Sequence, residues 1–258
     1  MIEKQVFLQF DLGMYRRWRR LRRDPSFPLR EHLRRDRYPL RLVRYWQACC
    51  ALRRFEQKLG RRMDLLDLGC ERGLLKMLAP PDLDARWIGL DWNLSRPSLE
   101  GSGYDELHEA NFDQVLPLAD NSVDVVVCQH VFEHLPRPGF TINEIARVLR
   151  PGGILLLGAP VLPRILCAAR ERHYQDEIAR GKRKAGRHIN RFWPERAWLL
   201  CAEHGLAVEW LTGAHLFRWS GIGLESKRWW VRLNYWWGGM FPSLGREFYL
   251  QARKPLAS

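Results

Sequence analysis

Residues 67–73 (DLGCERG) and Asp91 combine glycine and carboxylate groups at a spacing that suits a ribose-containing ligand. The glycine segment follows an apolar run and precedes a predicted helix. Gly69 permits a tight turn and a close approach of a ligand to the backbone. Asp91 ends the next predicted strand, 18 residues beyond Gly73, where a carboxylate can accept hydrogen bonds from both ribose hydroxyls. The glycine segment alone is equally typical of an ordinary strand-to-helix turn.

Alternating strands and helices are expected to position these groups. Apolar and β-branched runs predict strands over 63–68, 86–90, 104–110, 123–129, 153–158, 205–211 and 247–252, and helices over 39–59, 73–78, 139–149 and 194–204. This alternation predicts a parallel sheet with right-handed crossovers. Ligands of such sheets bind beyond the carboxyl ends of the strands. Residues 67–73 and Asp91 are therefore expected at one edge of the sheet.

Three further motifs follow in order: residues 110–127, 132–135 (FEHL) and 147–153 (RVLRPGG). Together with the glycine segment and Asp91, they resemble class I S-adenosylmethionine-dependent methyltransferases of the broad type 11 family. The similarity covers roughly residues 63–160. Nicotinamide enzymes would not be expected to show this set, so the resemblance favours S-adenosylmethionine over a dinucleotide as the cofactor.

The resemblance implies a doubly wound, mostly parallel, seven-stranded α/β sheet of the Rossmann-like kind, with an antiparallel last strand over 247–252. We expect residues 1–60 to form a basic N-terminal extension and helix. Residues 61–160 would form the cofactor-binding core. Residues 161–258 would supply a lid or substrate segment and the C-terminal strands that complete the same domain.

The resemblance assigns five residues to the methionine end of the cofactor. Asp67 would hold the ammonium group, directly or through water. Gly69 and the backbone near Cys70 would line the methionine portion, and Gly73 would open the following helix. Gln129, at the end of the fourth predicted strand, would close over the sulfonium.

The adenosine end is assigned to the tips of the second and third predicted strands. Asp91 would bind the ribose, Trp92 would pack on the adenine, and Phe112 would present its backbone amide to the ring. Asn111 stands where the family often has Asp, and its side-chain carbonyl can still accept from the adenine amine. Glu71 stands where Gly is commonest, so its side chain must point away from the cofactor.

The implied function is methyl transfer to a small-molecule, lipid-linked or quinone-like acceptor. An RNA (tRNA) methyltransferase that uses the basic N-terminal arm is one alternative. Another is a catalytically inactive cofactor-binding protein of the same fold, which Glu71 and Asn111 would favour.

Methylation of a hydroxyl is helped by a general base, and the candidates are His130, Glu133, His134 and His188. Residues 130–134 also resemble the metal-using ubiquinone O-methyltransferases, although His130 replaces the first acidic residue. Such a set could bind a divalent ion. The favoured interpretation is that Glu133 and His134 hold the loop by hydrogen bonds, and no metal is predicted.

Basic residues near His188 suggest a second type of contact. Arg187 and Arg191 flank it, and a cluster of donors suits a carboxylate or phosphate on the acceptor. A solvated basic loop is the competing interpretation. Twelve tryptophans are also unusual. Those near the C-terminus could line an apolar pocket for a lipid-linked or aromatic acceptor.

The net charge of +13 is concentrated near the N-terminus, where residues 1–62 hold 18 Lys and Arg against 6 Asp and Glu. This arm could be solvated, contact RNA phosphates, or meet an anionic membrane with Trp18 and Phe27 as anchors. The six cysteines include no CxxC pair, which favours free thiols in a reducing compartment. We find no secretory signal or membrane-spanning run. A cytoplasmic protein is expected, with peripheral contact at the inner face of the membrane as an option.

Overall fold

The computed structural model describes residues 7, 11–28, 30, 43–162, 164–181, 188–216, 224 and 227–256. Seven strands form one sheet in the order β3-β2-β1-β4-β5-β7-β6. The strands are β1 (Met63–Leu68), β2 (Ala85–Asp91), β3 (Glu106–Glu109), β4 (Val123–Gln129), β5 (Leu149–Pro160), β6 (Ala207–Ala214) and β7 (Glu247–Arg253). β7 runs antiparallel to both β5 and β6, and the other pairs are parallel. The predicted seven-stranded sheet with an antiparallel last strand is confirmed.

The helices described are α1 (Leu12–Leu21), α2 (Val43–Leu59), α3 (Leu74–Leu78), α4 (Pro138–Val148), α5 (Arg164–Ala179), α6 (Pro194–Glu203) and α7 (Arg228–Met240). Within the described part of the chain, no helix is both long and apolar enough to cross a bilayer. α5 and α7 form where the sequence suggested only a linking segment and a Trp-rich stretch. All six cysteines are free, as predicted.

The central strands are apolar on both faces because helices cover each side of the sheet. Adjacent residues of β1 illustrate this arrangement, since side chains alternate across a strand. Leu66 packs in one buried cluster with Ile142 of α4, while Leu65 packs in another with Leu52 of α2. This double burial explains why residues 125–128 of β4 form a continuous apolar run.

The N-terminal extension packs against the domain through α1. Asp11 caps this helix by accepting a hydrogen bond from the Met14 backbone at 3.0 Å. Trp18 and Phe27 are only 5% and 8% exposed and belong to a cluster with Leu78 of α3. Because the domain already covers the apolar surface of Trp18 and Phe27, these two side chains do not serve as the exposed anchors that the sequence suggested.

Candidate active site

A cleft of about 1070 Å³ opens at the carboxyl ends of β1, β2 and β4. Ten of the residues with predicted roles line it: Gly69, Asp91, Trp92, Asn111, Phe112, Gln129, His130, Glu133, His134 and His188. Asp67, Cys70 and Gly73 are not among the lining residues. Parallel strands explain the convergence, since their carboxyl ends meet at one edge of the sheet.

The glycine loop is attached to β2 by its own backbone. The amides of Gly69 and Cys70 both donate to the Leu90 carbonyl, at 2.8 and 3.0 Å. Gly69 has φ +82°, and a Cβ there would lie 2.4 Å from Cγ2 of Val131, so only glycine fits. Glu71 also has positive φ, and its carboxylate lies 3.3 Å from Nη1 of Arg96. This ion pair holds the side chain of Glu71, the residue that stands where the family usually has glycine.

Asp67 lies beneath this loop. Its carboxyl group is buried and accepts a hydrogen bond of 2.5 Å from the Tyr104 hydroxyl. Burial raises the pKa of Asp67 to about 7, although the Tyr104 hydrogen bond acts in the opposite direction. Gly73 has φ +74°, and a Cβ there would lie 3.1 Å from Cβ of Ser102. The predicted contacts of Asp67, Cys70 and Gly73 with the methionine portion remain predictions.

One side of the cleft, here called the β2–β3 side, consists of Asp91, Trp92, Asn111 and Phe112. The Asp91 carboxylate is buried and accepts from the backbone amides of Glu71 at 2.9 Å and Asn93 at 3.2 Å. Burial raises its pKa, although these two hydrogen bonds act against that.

Asn111 lies just beyond β3 and is exposed, and its side-chain oxygen accepts from the Asp113 amide at 3.0 Å. Trp92 is 61% exposed, whereas Phe112 is buried. The Phe112 carbonyl accepts a hydrogen bond of 2.9 Å from the Thr141 hydroxyl. The β2–β3 side therefore presents a carboxylate, an amide and an exposed aromatic ring to one space.

The opposite side, here called the β4 side, consists of His130, Glu133, His134, His188 and Arg44, and the fully buried Glu247 supports it from behind the cleft lining. His130 has φ +58°, which aims its ring between two carboxylates. Its Nδ1 lies 3.2 Å from Glu133 and its Nε2 lies 3.2 Å from Glu247. Burial would raise the pKa of Glu133, but contact with His130 outweighs it and holds the pKa below its usual value.

Two residues of the β4 side were missed by the sequence analysis. Glu247 is fully buried, and it accepts from Arg44 at 3.1 Å and from the Tyr249 hydroxyl at 2.6 Å. Burial would lower the pKa of Arg44, but the Glu247 charge raises it above the usual value. Arg44 and Glu247 lie 203 positions apart. The sequence feature that could have identified Glu247 is its position as a charged residue at the start of a mostly apolar predicted strand.

His134 and His188 come together with Glu133 although they belong to distant segments. One ligand atom from each of the three lies within 4.8 Å of the others. The backbone amides of Ile189 and Asn190 donate to the Glu133 carbonyl at 2.7 and 3.0 Å, which fixes residues 188–190 beside β4. Such a group can accept a proton or ligate a divalent cation.

Two further features bear on the chemistry of this cluster. Nδ1 of His134 is buried and has no hydrogen-bond partner among the described residues. The Arg191 guanidinium lies 3.2 Å from Nδ1 of His188, and its positive charge opposes a bound cation there. Proton transfer therefore suits the cluster better than metal binding. Arg187, the other predicted flanking residue, lies outside the described residues.

Gln129 lies between the two sides of the cleft. Its Oε1 is buried without a hydrogen-bond partner in the described part of the chain. Gly158 makes room for it, because a Cβ at 158 would lie 2.1 Å from that oxygen. A buried acceptor without a partner is costly. A ligand donor in the cleft would remove that cost, so the site fits a polar ligand running from β2 toward β4.

The tryptophans near the C-terminus do not form the apolar acceptor pocket that the sequence suggested. Trp229 and Trp236 are 56% and 52% exposed. Neither they nor Trp230 and Trp237 line the cleft. Trp219 lies outside the described residues. Trp229 and Trp236 face outward and Trp230 and Trp237 are partly buried, so the described tryptophans of α7 lie outside this cleft.

Comparison with known proteins agrees with this geometry. Residues 66–157 match the family model of a methyltransferase domain. A probable S-adenosylmethionine-dependent methyltransferase of Mycolicibacterium smegmatis is 38% identical over 109 residues, 40% of this chain and 42% of that protein. The human thiol S-methyltransferase TMT1B is 35% identical over 102 residues, 36% of this chain and 41% of that protein. The chain thus matches about two fifths of the length of these relatives.

A solved structure extends the similarity to the fold of nearly the whole chain. The N-methyltransferase NodS from Bradyrhizobium japonicum, in complex with S-adenosyl-L-homocysteine, superposes with a TM-score of 0.53. The match covers 94% of this chain and 98% of NodS at 16% sequence identity, so it concerns the fold alone. S-adenosylmethionine is the cofactor of the matched family. Residues 66–157 thus match a methyltransferase domain, and the sheet that contains them has the class I methyltransferase fold.

Proposed function

We propose that this protein transfers a methyl group from S-adenosylmethionine to a small-molecule, lipid-linked or quinone-like acceptor. One observation carries the proposal. The β2–β3 side, with groups suited to an adenosine, and the β4 side, with groups suited to proton transfer, line the same cleft. A protein that only binds a nucleoside would not require the cluster of Glu133, His134 and His188 beside its binding site.

On the β2–β3 side, each residue has a role that its chemistry supports. Asp91 would accept hydrogen bonds from the ribose hydroxyls, and Asn111 would accept from the adenine amine with the remaining lone pair of its side-chain oxygen. The exposed ring of Trp92 would cover one face of the base. Oε1 of Gln129 would accept from a polar group of the methionine portion. Two carboxyl groups with raised pKa values, Asp67 and Asp91, suit partners that donate hydrogen bonds or carry positive charge.

The cofactor supplies an activated methyl group on its sulfonium, so the protein mainly aligns the acceptor. Positioning of this kind can lower a barrier by about 7–11 kcal/mol. When the acceptor is a hydroxyl, the His134 imidazole would take its proton. The Glu133 carboxylate, 4.0 Å from Nε2 of His134, would stabilise the resulting imidazolium. Arg44 and His188 would orient an acceptor that carries negative charge.

Titration calorimetry with S-adenosylmethionine tests the first part of this proposal. Absence of binding would overturn it. The second part is tested by incubation with methyl-labelled cofactor and three acceptor pools: aqueous metabolites, extracted lipids and tRNA. We expect label in the aqueous or lipid pool. Label in tRNA alone would favour the alternative that the basic N-terminal arm suggests.

Variants of two histidines separate catalysis from binding. His134→Ala should abolish transfer while it leaves cofactor affinity unchanged, because His134 lies on the β4 side. His204→Ala is the matched control, since the ring of His204 lies beside the Leu200 carbonyl at the end of α6, outside the cleft. Equal transfer by both variants would remove His134 from the mechanism. Cofactor binding without transfer by the wild type would favour a catalytically inactive protein.

A further inference from the structure

The outward face of α7 carries large apolar side chains that stay exposed in the described part of the chain. Trp229, Trp236 and Met240 are 56%, 52% and 45% exposed. Their spacing of seven and four residues places them on one stripe of the helix. The opposite face is also apolar, with Val231 and Tyr235 buried against β6 and β7. A helix that borders water normally has a polar outer face, so this one has an unusual exposed surface.

The apolar surface continues beyond the helix. Phe241 and Leu244, in the turn that leads to β7, are 39% and 58% exposed. Close packing fixes the orientation of α7, since a Cβ at Gly238 would lie 2.2 Å from the carbonyl oxygen of Gly213 in β6. A rotation of α7 that buried Trp229 and Trp236 would therefore break this contact. The packing of α7 against β6 therefore keeps Trp229 and Trp236 exposed.

The charged residues of α7 and of the turn after it are all basic, and Glu195 of α6 lies beside this turn and accepts a hydrogen bond from the Ser243 hydroxyl. Lys227, Arg228 and Arg232 are exposed, and residues 227–244 include no Asp or Glu. Tryptophan and cations on one helical surface are typical of helices that lie in the interface of an anionic bilayer. A second copy of this chain is a poorer partner, because Lys227, Arg228 and Arg232 of one copy would face the same cations of the other.

We propose that the outer face of α7 binds the surface of an anionic lipid bilayer. Trp229 and Trp236 lie at the level of the headgroups, and Lys227, Arg228 and Arg232 contact lipid phosphates. This surface differs from the N-terminal one suggested by the sequence, because Trp18 and Phe27 are buried. The inference depends only on α7 and stands whether or not the protein transfers methyl groups.

Co-sedimentation of the full-length protein with vesicles tests this proposal. Vesicles of phosphatidylcholine with one quarter phosphatidylglycerol are compared with pure phosphatidylcholine. We expect Trp229→Ser combined with Trp236→Ser to weaken partitioning onto the anionic vesicles about tenfold or more. Both side chains are exposed, so the thermal unfolding midpoint should stay that of the wild type.

Trp198→Ser is the matched control. Trp198 is 42% exposed on α6, which packs through Ala197 and Cys201 on the other face of the sheet. Its partitioning should equal that of the wild type. Arg228→Gln combined with Arg232→Gln should weaken binding to anionic vesicles by about tenfold, and added salt should have a similar effect.

Two outcomes would overturn the proposal. One is equal partitioning by the wild type and the double Trp variant, which would assign any vesicle binding to the basic N-terminal arm. The other is absence of vesicle binding together with a wild-type dimer, seen by sedimentation velocity, that the double Trp variant dissociates. That result would make the outer face of α7 an interface between copies of this chain.

Discussion

The two sides of the cleft are built in different ways. On the β2–β3 side, Asp91, Trp92, Asn111 and Phe112 come from the ends of neighbouring strands. Backbone amides two positions further along the chain, or in the glycine loop, donate to the side chains of Asp91 and Asn111. On the β4 side, the partners come from the two ends of the chain. Arg44 of α2 and Glu247 of β7 meet beneath His130.

This difference indicates how proteins of one fold could bind the same cofactor and yet act on different acceptors. Local backbone geometry fixes the β2–β3 side, so it depends on short motifs. The β4 side depends on buried charges supplied by segments outside residues 66–157, the part that matches the family. Changes in those segments can alter acceptor binding without disturbing the adenosine contacts.

The largest expected effect concerns the buried ion pair on the β4 side. Glu247→Gln leaves the Arg44 charge buried without a countercharge and should lower the free energy of unfolding by about 3 kcal/mol. Cofactor affinity should change little. Urea denaturation and calorimetry measure the two quantities. Glu209→Gln is the control, because its partner Arg253 is partly exposed and the expected cost is under about 1 kcal/mol. Equal stability of the two variants would show that the β4 side does not depend on this pair.

On the β2–β3 side, Asp91→Ala should weaken S-adenosylmethionine binding about 100-fold, since hydrogen bonds to a charged group contribute about 1.5–3 kcal/mol each. Titration calorimetry measures the change. Asp82→Ala, which removes an exposed carboxylate paired only with Arg53, should bind as the wild type does. Unchanged affinity in the Asp91 variant would remove the β2–β3 side from cofactor binding.

The buried carboxyl group beneath the glycine loop should make stability depend on pH. The folded-state pKa of Asp67, about 7, exceeds its unfolded value, so its contribution is fully present below about pH 4 and is lost as the pH rises through 7. Relative to Asp67→Asn, the wild type should lose on the order of 2 kcal/mol across that range. Thermal unfolding of both proteins between pH 4 and 8, without cofactor, measures the difference. Parallel curves would contradict the burial argument.

The smallest effect is expected at Asn111. Asn111→Ala removes one neutral hydrogen bond, worth about 1 kcal/mol, and should weaken cofactor binding about fivefold. Asn111→Asp restores the carboxylate usual in the family and should bind at least as tightly as the wild type. An Ala variant as weak as Asp91→Ala would show that the adenine contact, and not the ribose contact, dominates the β2–β3 side.

Much of the sheet could be predicted from single segments. The apolar run at 123–129 and the turn before 153–158 correspond to β4 and to the buried part of β5, and Glu247–Arg253 is antiparallel as expected. α7 was missed because its tryptophans and glycines do not follow a simple amphipathic pattern. Gly238 is needed for contact with β6, and Trp229 and Trp236 face outward while Trp230 and Trp237 are partly buried, so the pattern reflects tertiary packing and exposure together.

The sequence by itself determined the succession of the seven strands, the glycine loop and the polar residues at successive strand ends, because these depend on interactions between near neighbours in the chain. Tertiary structure alone decided that Glu247 lies against Arg44 and His130, that His188 reaches His134, and that Trp18 is buried while Trp229 is not. Such pairings join residues tens to hundreds of positions apart. Their geometry is set by the packing of whole elements against the sheet, which no local pattern of residues encodes.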